Sequence, residues 1–434
     1  MDTENPKTAI EYIHSLGRFS GKPGLHRIKA LCEALGNPQD RLKFVHLAGT
    51  NGKGSTACMI ASALQAAGLR TGLYTSPYLV QFYERIRVDG VMISDDDLTR
   101  LCERVTVACE SLTLPEGETI GEFEFTTALA FLCFVEQECD IVVLETGLGG
   151  RCDATNVIKN AEVCVITPIS LAHMAVLGNT TAVIATEKAG IFKPGTAVVC
   201  ADGQPNDVQR VLRRACDAAG AVWFGGAEDC RVLRCDIGGS AFVYEAQGYT
   251  IAMPGRHQLQ NARTALRALN ALRERGWNIP TEAAVRGLAR ARIAGRLERV
   301  VDQPLILLDG AHNAAGADAL CHAVDELLKM KRLHVVMGMV RDKDYETCVH
   351  EVASRADDFY ACVPDAGERS LDVHTIAELA RQSCKRVYEC ESAEHAIELA
   401  LEHAKMNDCI LICGSLYLIG ECEKILRGRP KATD

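Results

Sequence analysis

The chain has 434 residues, 48% hydrophobic and 24% charged, with a formal net charge of −10. This is the profile of a globular polypeptide long enough for two or three domains, and its scattered Lys and Arg argue against a nucleic-acid surface, which needs clustered positive charge. Apolar runs such as IVVLE and LILLD are strand-sized and far too short to span a bilayer. The N-terminal stretch MDTENPKTAIEYIHSLGRF lacks the apolar core of a signal peptide, so a cytoplasmic protein is expected.

The pattern along the chain is strand, turn, helix, repeated. KFVHLA (43–48) reads as a buried strand, followed by the turn GTNGKGS and a helical stretch, TACMIASALQAAG, that stops at Gly68. LRTGLYT (69–75), IVVLE (141–145), VCVITPI (163–169) and TAVVC (196–200) read as further short strands. Apolar runs alternating with helices predict a parallel sheet covered on both faces. From about 225 to 253 the pieces RVLRC and AFVYEA, split by Gly-rich turns, predict a small antiparallel insertion or edge of the first domain. GRHQLQNARTALRALNALRERG (255–276) reads as a helix. A second alternating series begins near 305, with strands LILLD, LHVVMGM, DDFYACV, RVYEC and CILICG. The expected fold class is therefore α/β: a mostly parallel sheet with helices on both faces over 1–294, and a smaller Rossmann-like domain over 295–434, with the linker near Ile293 to Gly295.

Twenty cysteines occur, but no C-x-x-C pair, and no His stands at zinc-finger spacing from the closest pairs, Cys230/Cys235 and Cys409/Cys413. They are expected to be free thiols packed as small hydrophobes.

Gly49 to Ser55 lie between a predicted strand and a predicted helix, the context a phosphate-binding loop requires. Glycines let the backbone approach phosphates, and the helix N-terminus supplies N–H donors and a favourable dipole, so an acidic protein can still bind a polyphosphate. Lys53 can reach the outer phosphates, and Ser55 or Thr56 can face a metal, although Gly54 stands where a standard loop has Ser or Thr. Glu145 ends a strand where a magnesium ligand would sit; alone, it reads equally as a cap or surface charge. TGLGGRCDATN follows it, offering Arg151 and Asp153 as polar contacts. His173 follows the strand VCVITPI on the same predicted edge, and a structural role is about as plausible there as a ligand role. Lys188 also reads as a solvated helix lysine. In the second domain Asp309, His312 and Asn313 fall at a strand-to-helix turn, and Arg296 near the hinge could reach a nucleotide held by the other domain.

Taken together, the ordered segments HLAGTNGKGS, LYTSPYLVQFYERIRVDG, EFEFTTALAF, VLETGLGGRCDATN, ITPISLAHMAVLGNT, EKAGIFKPG, HQLQNA, GRLE, LLDGAHN, MGMVRDKD and ICGSLY closely resemble the folylpolyglutamate synthase and dihydrofolate synthase family of Mur-type ligases. The family's own loop carries Gly after Lys, so Gly54 supports the likeness. The resemblance implies an ATP-dependent carbon–nitrogen ligase that adds L-glutamate to a folate-type carboxylate, of tetrahydrofolate, dihydropteroate or both, through an acyl phosphate. It implies that Gly49, Thr50, Asn51, Gly52, Lys53, Gly54 and Ser55 hold the ATP phosphates, with Asn261, Arg296 and Asp309 as further ATP contacts. Ser76 and Glu145 would coordinate magnesium, with His173 on a second ion, and Lys188 matches a lysine often carbamylated. Thr127, Cys152, Asp153 and Ala154 match a region meeting the pterin-bearing substrate. Catalysis would rest on Lys53, Lys188, His173 and Arg296. His312 matches a conspicuous His of the second-domain motif. The sequence departs from the family at Ala172, where Asp usually precedes the metal-binding His. Small-molecule substrates, no nucleic acid or membrane, and a monomer are expected. Two other readings compete. A Mur ligase acting on a cell-wall precursor would need an extra N-terminal domain, and only about forty residues precede the loop. A non-ligase P-loop NTPase would leave GLGGRCDATN and EKAGIFKPG without a role.

Overall fold

A computed structural model describes residues 8–17, 24–226, 229–329 and 331–428. Residues 1–7 and 18–19 of the N-terminal stretch read above for a targeting signal lie outside these residues. Among those described, no helix is long and apolar enough to cross a membrane.

The chain forms two compact units. One comprises 1–228 with 260–291, the other 229–259 with 292–434. The first is built on strands β1 (Phe44–Ala48), β2 (Thr71–Tyr74), β3 (Ile86–Val88), β4 (Val91–Met92), β5 (Ile141–Glu145), β6 (Val163–Ile166), β7 (Ala197–Cys200) and β8 (Val222–Phe224). They order as β4-β3-β2-β5-β1-β6-β7-β8. The six strands from β2 to β8 in that order are parallel, and β3 and β4 add an antiparallel ribbon at one edge. β1, β5, β6 and β7 are buried along their whole length, as near-continuous apolar runs in a doubly covered sheet should be. The helix Glu122–Glu136 is apolar nearly all round and is buried to match. The helices Lys53–Ala66 and Thr281–Arg290 cross closely because Gly287 lacks a Cβ, which would strike the backbone of Ala63.

The second unit holds β9 (Cys230–Asp236), β10 (Gly239–Tyr244) and β11 (Gln247–Ile251) as a three-stranded antiparallel sheet. It also holds β12 (Glu298–Asp302), β13 (Leu305–Asp309), β14 (Leu333–Met337), β15 (Asp358–Ala361), β16 (Val387–Glu389) and β17 (Cys409–Cys413), ordered β12-β13-β17-β14-β15-β16. All but the edge strand β12 run parallel, as in a Rossmann-like sheet.

The antiparallel segment differs from expectation, because it groups with the second unit and not the first. The cause is local. Ile237, in the turn between β9 and β10, packs against the core of the second unit, and Arg256 pairs with Glu326 at 2.8 Å. A change of strand pattern marks a separate element but does not say which core it covers. The cysteines of the described residues are all free thiols, most of them buried.

Candidate active site

In the first unit the site is assembled at the C-terminal edge of the parallel sheet. β1 runs straight into Gly49, and the loop that follows is held from the side by the segment after β6. The amides of Thr50 and Asn51 both donate to Pro168 O, at 2.9 and 3.3 Å. Thr50 Oγ1 donates to Ser170 O and accepts from Ser170 N, each at 3.1 Å. Two glycines are required by geometry. A Cβ on Gly49 would collide with Thr167 Oγ1, and Gly52, at φ +84°, has the Asn261 amide against its Cα. Asn261 is thereby brought to the loop from the helix Arg256–Glu274.

The helix Lys53–Ala66 starts on this loop with no side-chain cap, so its first-turn amides point to the position a phosphate would take. Ser55 and Thr56 are buried in that turn. The hydroxyls of Thr56, Thr146 and Thr167 are buried with no hydrogen-bond partner among the described residues. Such groups in a native protein call for a ligand, ion or water.

Lys53 Nζ donates to Thr50 O at 3.4 Å and lies 3.8 Å from Glu145 Oε1. Glu145, at the end of β5, is 4% exposed, and its Oε2 accepts the Ser76 amide at 3.3 Å. Ser76, Glu145 and Lys53 therefore share one corner of the edge. Lys188, 4% exposed, donates from Nζ to Gly49 O at 2.6 Å. Burial, with a lesser push from the Lys53 charge, lowers its pKa to about 7.

The loop after β5 packs on the end of the helix Thr181–Ala189. Gly150 lies where a Cβ would meet the carbonyls of Glu187 and Lys188, and Arg151 pairs with Glu187 at 2.7 Å. Asp153 is buried. Its Oδ2 accepts the Leu148 amide at 2.7 Å, and its Oδ1 accepts the amide and hydroxyl of Thr155 at 3.1 and 2.5 Å. Burial raises the Asp153 pKa. Ala154 is buried beside it, and Cys152 is half-buried. Thr127 is fully buried, with its hydroxyl donating to Phe123 O at 2.7 Å and lying 3.2 Å from Tyr74 OH. His173 is exposed at φ +52°, capping the short helix Met174–Leu177.

In the second unit Asp309 ends β13 and accepts the amides of Leu297 and Ala311, both at 2.9 Å. A Cβ on Gly310 would stand 2.6 Å from Arg296 Nη1, so Arg296 lies over this turn. His312 Nδ1 is 2.7 Å from Gly310 O, and Asn313 caps the helix Ala314–Leu327 by accepting the Gly316 amide at 2.8 Å. Asp309, Arg296, His312 and Asn313 are thus gathered at one strand end. His257 lies near both Asp309 and Arg296, and desolvation lowers its pKa. The segments HQLQNA and ITPIS carried His257, Pro168 and Ser170, but nothing in their residue types marked these as structural supports of the two turns.

Glu145 offers carboxylate oxygens and Ser76, whose amide it accepts, offers a hydroxyl; these are hard oxygens, which suit magnesium better than a thiophilic metal. Among the described residues no group of three or more His, Cys, Asp and Glu gathers that could hold an ion alone. A cation at Glu145 would complete its shell from hydroxyl, water and phosphate oxygens, as magnesium does at nucleotide sites.

Comparison with known proteins places nearly the whole chain in one family. The Mur ligase middle domain profile matches residues 47–269 and that of the Mur ligase glutamate ligase domain matches 295–416. A dihydrofolate synthase/folylpolyglutamate synthase of Bacillus subtilis is 36% identical over 430 residues, covering 96% of this chain and 98% of the relative. Folylpolyglutamate synthase of Mycobacterium tuberculosis, solved with ADP and AMPPCP, superposes with a TM-score of 0.87 at 32% identity, covering 98% of this chain and 99% of that one. A bifunctional folylpolyglutamate synthase/dihydrofolate synthase of Yersinia pestis, complexed with AMPPNP and a manganese ion, gives a TM-score of 0.83 at 29% identity, covering 98% and 100%.

Proposed function

We propose a division of labour among residues for a chain that belongs to the folylpolyglutamate synthase/dihydrofolate synthase family of Mur ligases. It is an ATP-dependent acid–amino-acid ligase that joins L-glutamate to a folate-type carboxylate. The observation that carries the assignment of residues is the convergence of Lys53, Glu145 and Lys188 on a glycine loop whose helix has no side-chain cap.

A carboxylate is a poor acyl donor. The folate carboxylate takes the γ-phosphoryl group of ATP, ADP leaves, and the acyl phosphate is attacked by the glutamate amine, giving an amide and phosphate. Residues 49–55 hold the phosphates, with the uncapped first-turn amides of the helix Lys53–Ala66 as donors, and Lys53 neutralises charge on the transferring group. Asn261, Arg296 and Asp309 are assigned to the nucleotide, and Arg296 adds positive charge near the phosphoryl group. Cys152, Asp153 and Ala154 form the wall that meets the pterin-bearing substrate. Thr127 supports that wall from within, since its hydroxyl is engaged by Phe123 and Tyr74.

Magnesium would be held by Glu145 and Ser76 with a second ion near His173, and it would offset charge on the phosphates as they approach the carboxylate. Lys188 is suited to carbamylation, because only a neutral amine adds carbon dioxide and its pKa stands at about 7. The carbamate would give an anionic group beside Gly49. A monomer working in the cytoplasm fits this reading.

The test is ADP release with ATP, magnesium and glutamate plus either dihydropteroate or a reduced folate. Release that needs both glutamate and one pterin substrate is expected, with a loss of about a hundredfold or more in Lys53→Ala while the melting temperature holds. Release independent of glutamate would instead favour an NTPase.

A further inference from the structure

His46 lies on β1, three residues ahead of Gly49, and is fully buried. Its Nε2 is 2.9 Å from Thr155 Oγ1. The single proton of that hydroxyl is already committed, since Thr155 Oγ1 donates to Asp153 Oδ1 at 2.5 Å. The hydroxyl must therefore accept from the imidazole, which assigns His46 as the Nε2–H tautomer. Burial keeps the ring neutral, with a pKa lowered to about 3. Its Nδ1 is buried with no partner among the described residues. An unpartnered nitrogen in a core is a cost, so the polar ring is not there for packing; an apolar side chain of similar size would fill the space without that cost. What it supplies is one directed N–H.

We propose that His46 is a positioning residue for the folate-side wall, acting through the relay His46 Nε2–H to Thr155 Oγ1–H to Asp153 Oδ1. The Leu148 amide fixes the other carboxylate oxygen, so Asp153 is held at both ends and the turn 147–155 takes one shape. β1 also delivers the phosphate loop. The relay thus references the folate wall to the strand that carries the ATP site, and an error in one hydrogen bond would displace one substrate relative to the other. This rests on the reading that Cys152, Asp153 and Ala154 meet the folate-type substrate.

Four variants test it: His46→Leu, His46→Gln, Thr155→Val and Thr155→Ser. Each is assayed for KM toward dihydropteroate or reduced folate, KM toward ATP, kcat and thermal melting. Thr155→Val is expected to raise the folate-side KM by about ten- to a hundredfold, the size of one hydrogen bond to a charged group, while leaving the ATP KM within about twofold. His46→Leu should do the same, and His46→Gln and Thr155→Ser, which keep a donor or hydroxyl, should restore most of the loss. A merely structural role would instead lower melting and move both KM values together. Equal shifts in the two KM values, or an unchanged folate-side KM in Thr155→Val, would overturn the relay. If His46→Leu does not fold, the Thr155 pair alone decides. Wild-type protein that ligates glutamate while the variants behave as wild type refutes only the relay; wild type that does not ligate glutamate to either pterin refutes the function beneath it.

Discussion

Lys188 Nζ donates to the main-chain oxygen of Gly49 at 2.6 Å, joining the end of one helix to the first residue of the phosphate loop across 139 positions of sequence. The amine is almost wholly buried, and its pKa of about 7 lies below its ordinary 10.5. Between these two values the unfolded chain binds one more proton than the native state, so native stability rises with pH through that window. Below about pH 7 the native state carries the full cost of a buried charge. Lys188→Met should flatten the rise between pH 7 and 10.5, measured by urea denaturation in carbon dioxide-free buffer. Parallel stability curves for the two proteins would mean that the lysine is not desolvated.

The same neutral amine makes carbamylation testable. Wild-type protein in labelled bicarbonate near neutral pH should show a carbamate carbon resonance that is missing in Lys188→Met. Ligation by the wild type should fall when bicarbonate is stripped from the assay and recover when it is returned. A resonance identical in both proteins would place the carbamate elsewhere.

Gly52 adopts φ +84° with the Asn261 amide against its Cα. Gly52→Ala therefore adds backbone strain and displaces Asn261. Destabilisation of about 1–3 kcal/mol is expected, together with weaker ATP binding by calorimetry. Asn261→Ala relieves the clash and should partly restore the stability of the double variant, but not its affinity for ATP. Additive losses in the double variant would show that the two residues do not meet.

Arg296 lies over Gly310 beside Asp309, in the unit that does not hold the phosphate loop. A cation assigned to the transferring phosphoryl group matters most in the transition state. Arg296→Ala should lower kcat by at least about tenfold, with little change in the folate KM. An unchanged kcat in steady-state kinetics would remove it from the reaction.

Much of this architecture could be read from residue order alone, because β5 and β13 are apolar runs, each ending on a carboxylate, that occupy the positions their pattern predicts. The phosphate loop was legible for a similar reason, since its glycines, lysine and flanking elements are contiguous. What stayed hidden depends on contacts distant in sequence. Asn261 meets Gly52, Pro168 holds Thr50 and Asn51, and His46 meets Thr155, yet none of these pairs leaves a periodic trace. His46 in particular reads as one polar residue in a strand, and only the committed hydroxyl of Thr155 reveals its tautomer. The antiparallel strands β9 to β11 were recognisable as a different element, but their allegiance is set by Ile237 and Arg256, two side chains among many.

The remaining prediction concerns His173 and Ala172. His173 is exposed and follows β6 on the same sheet edge as Glu145, with its backbone at φ +52°. A metal-binding imidazole must present a fixed nitrogen, and a neighbouring carboxylate normally fixes it. Ala172 offers no such group, so a carboxylate introduced there should improve how His173 meets magnesium. Magnesium dependence of the rate should then be present but shallow. Ala172→Asp should lower the magnesium concentration for half-maximal rate by about tenfold, the usual scale of an orienting partner. His173→Ala should raise it sharply or abolish activity. The double variant separates orientation from bulk charge. If the new aspartate acts through His173, it should confer nothing once the imidazole is gone, whereas an aspartate that binds the ion directly would still lower the requirement. Titration curves that do not move in His173→Ala would exclude the histidine from the metal site and leave Glu145, with Ser76 beside it, as the ligand set.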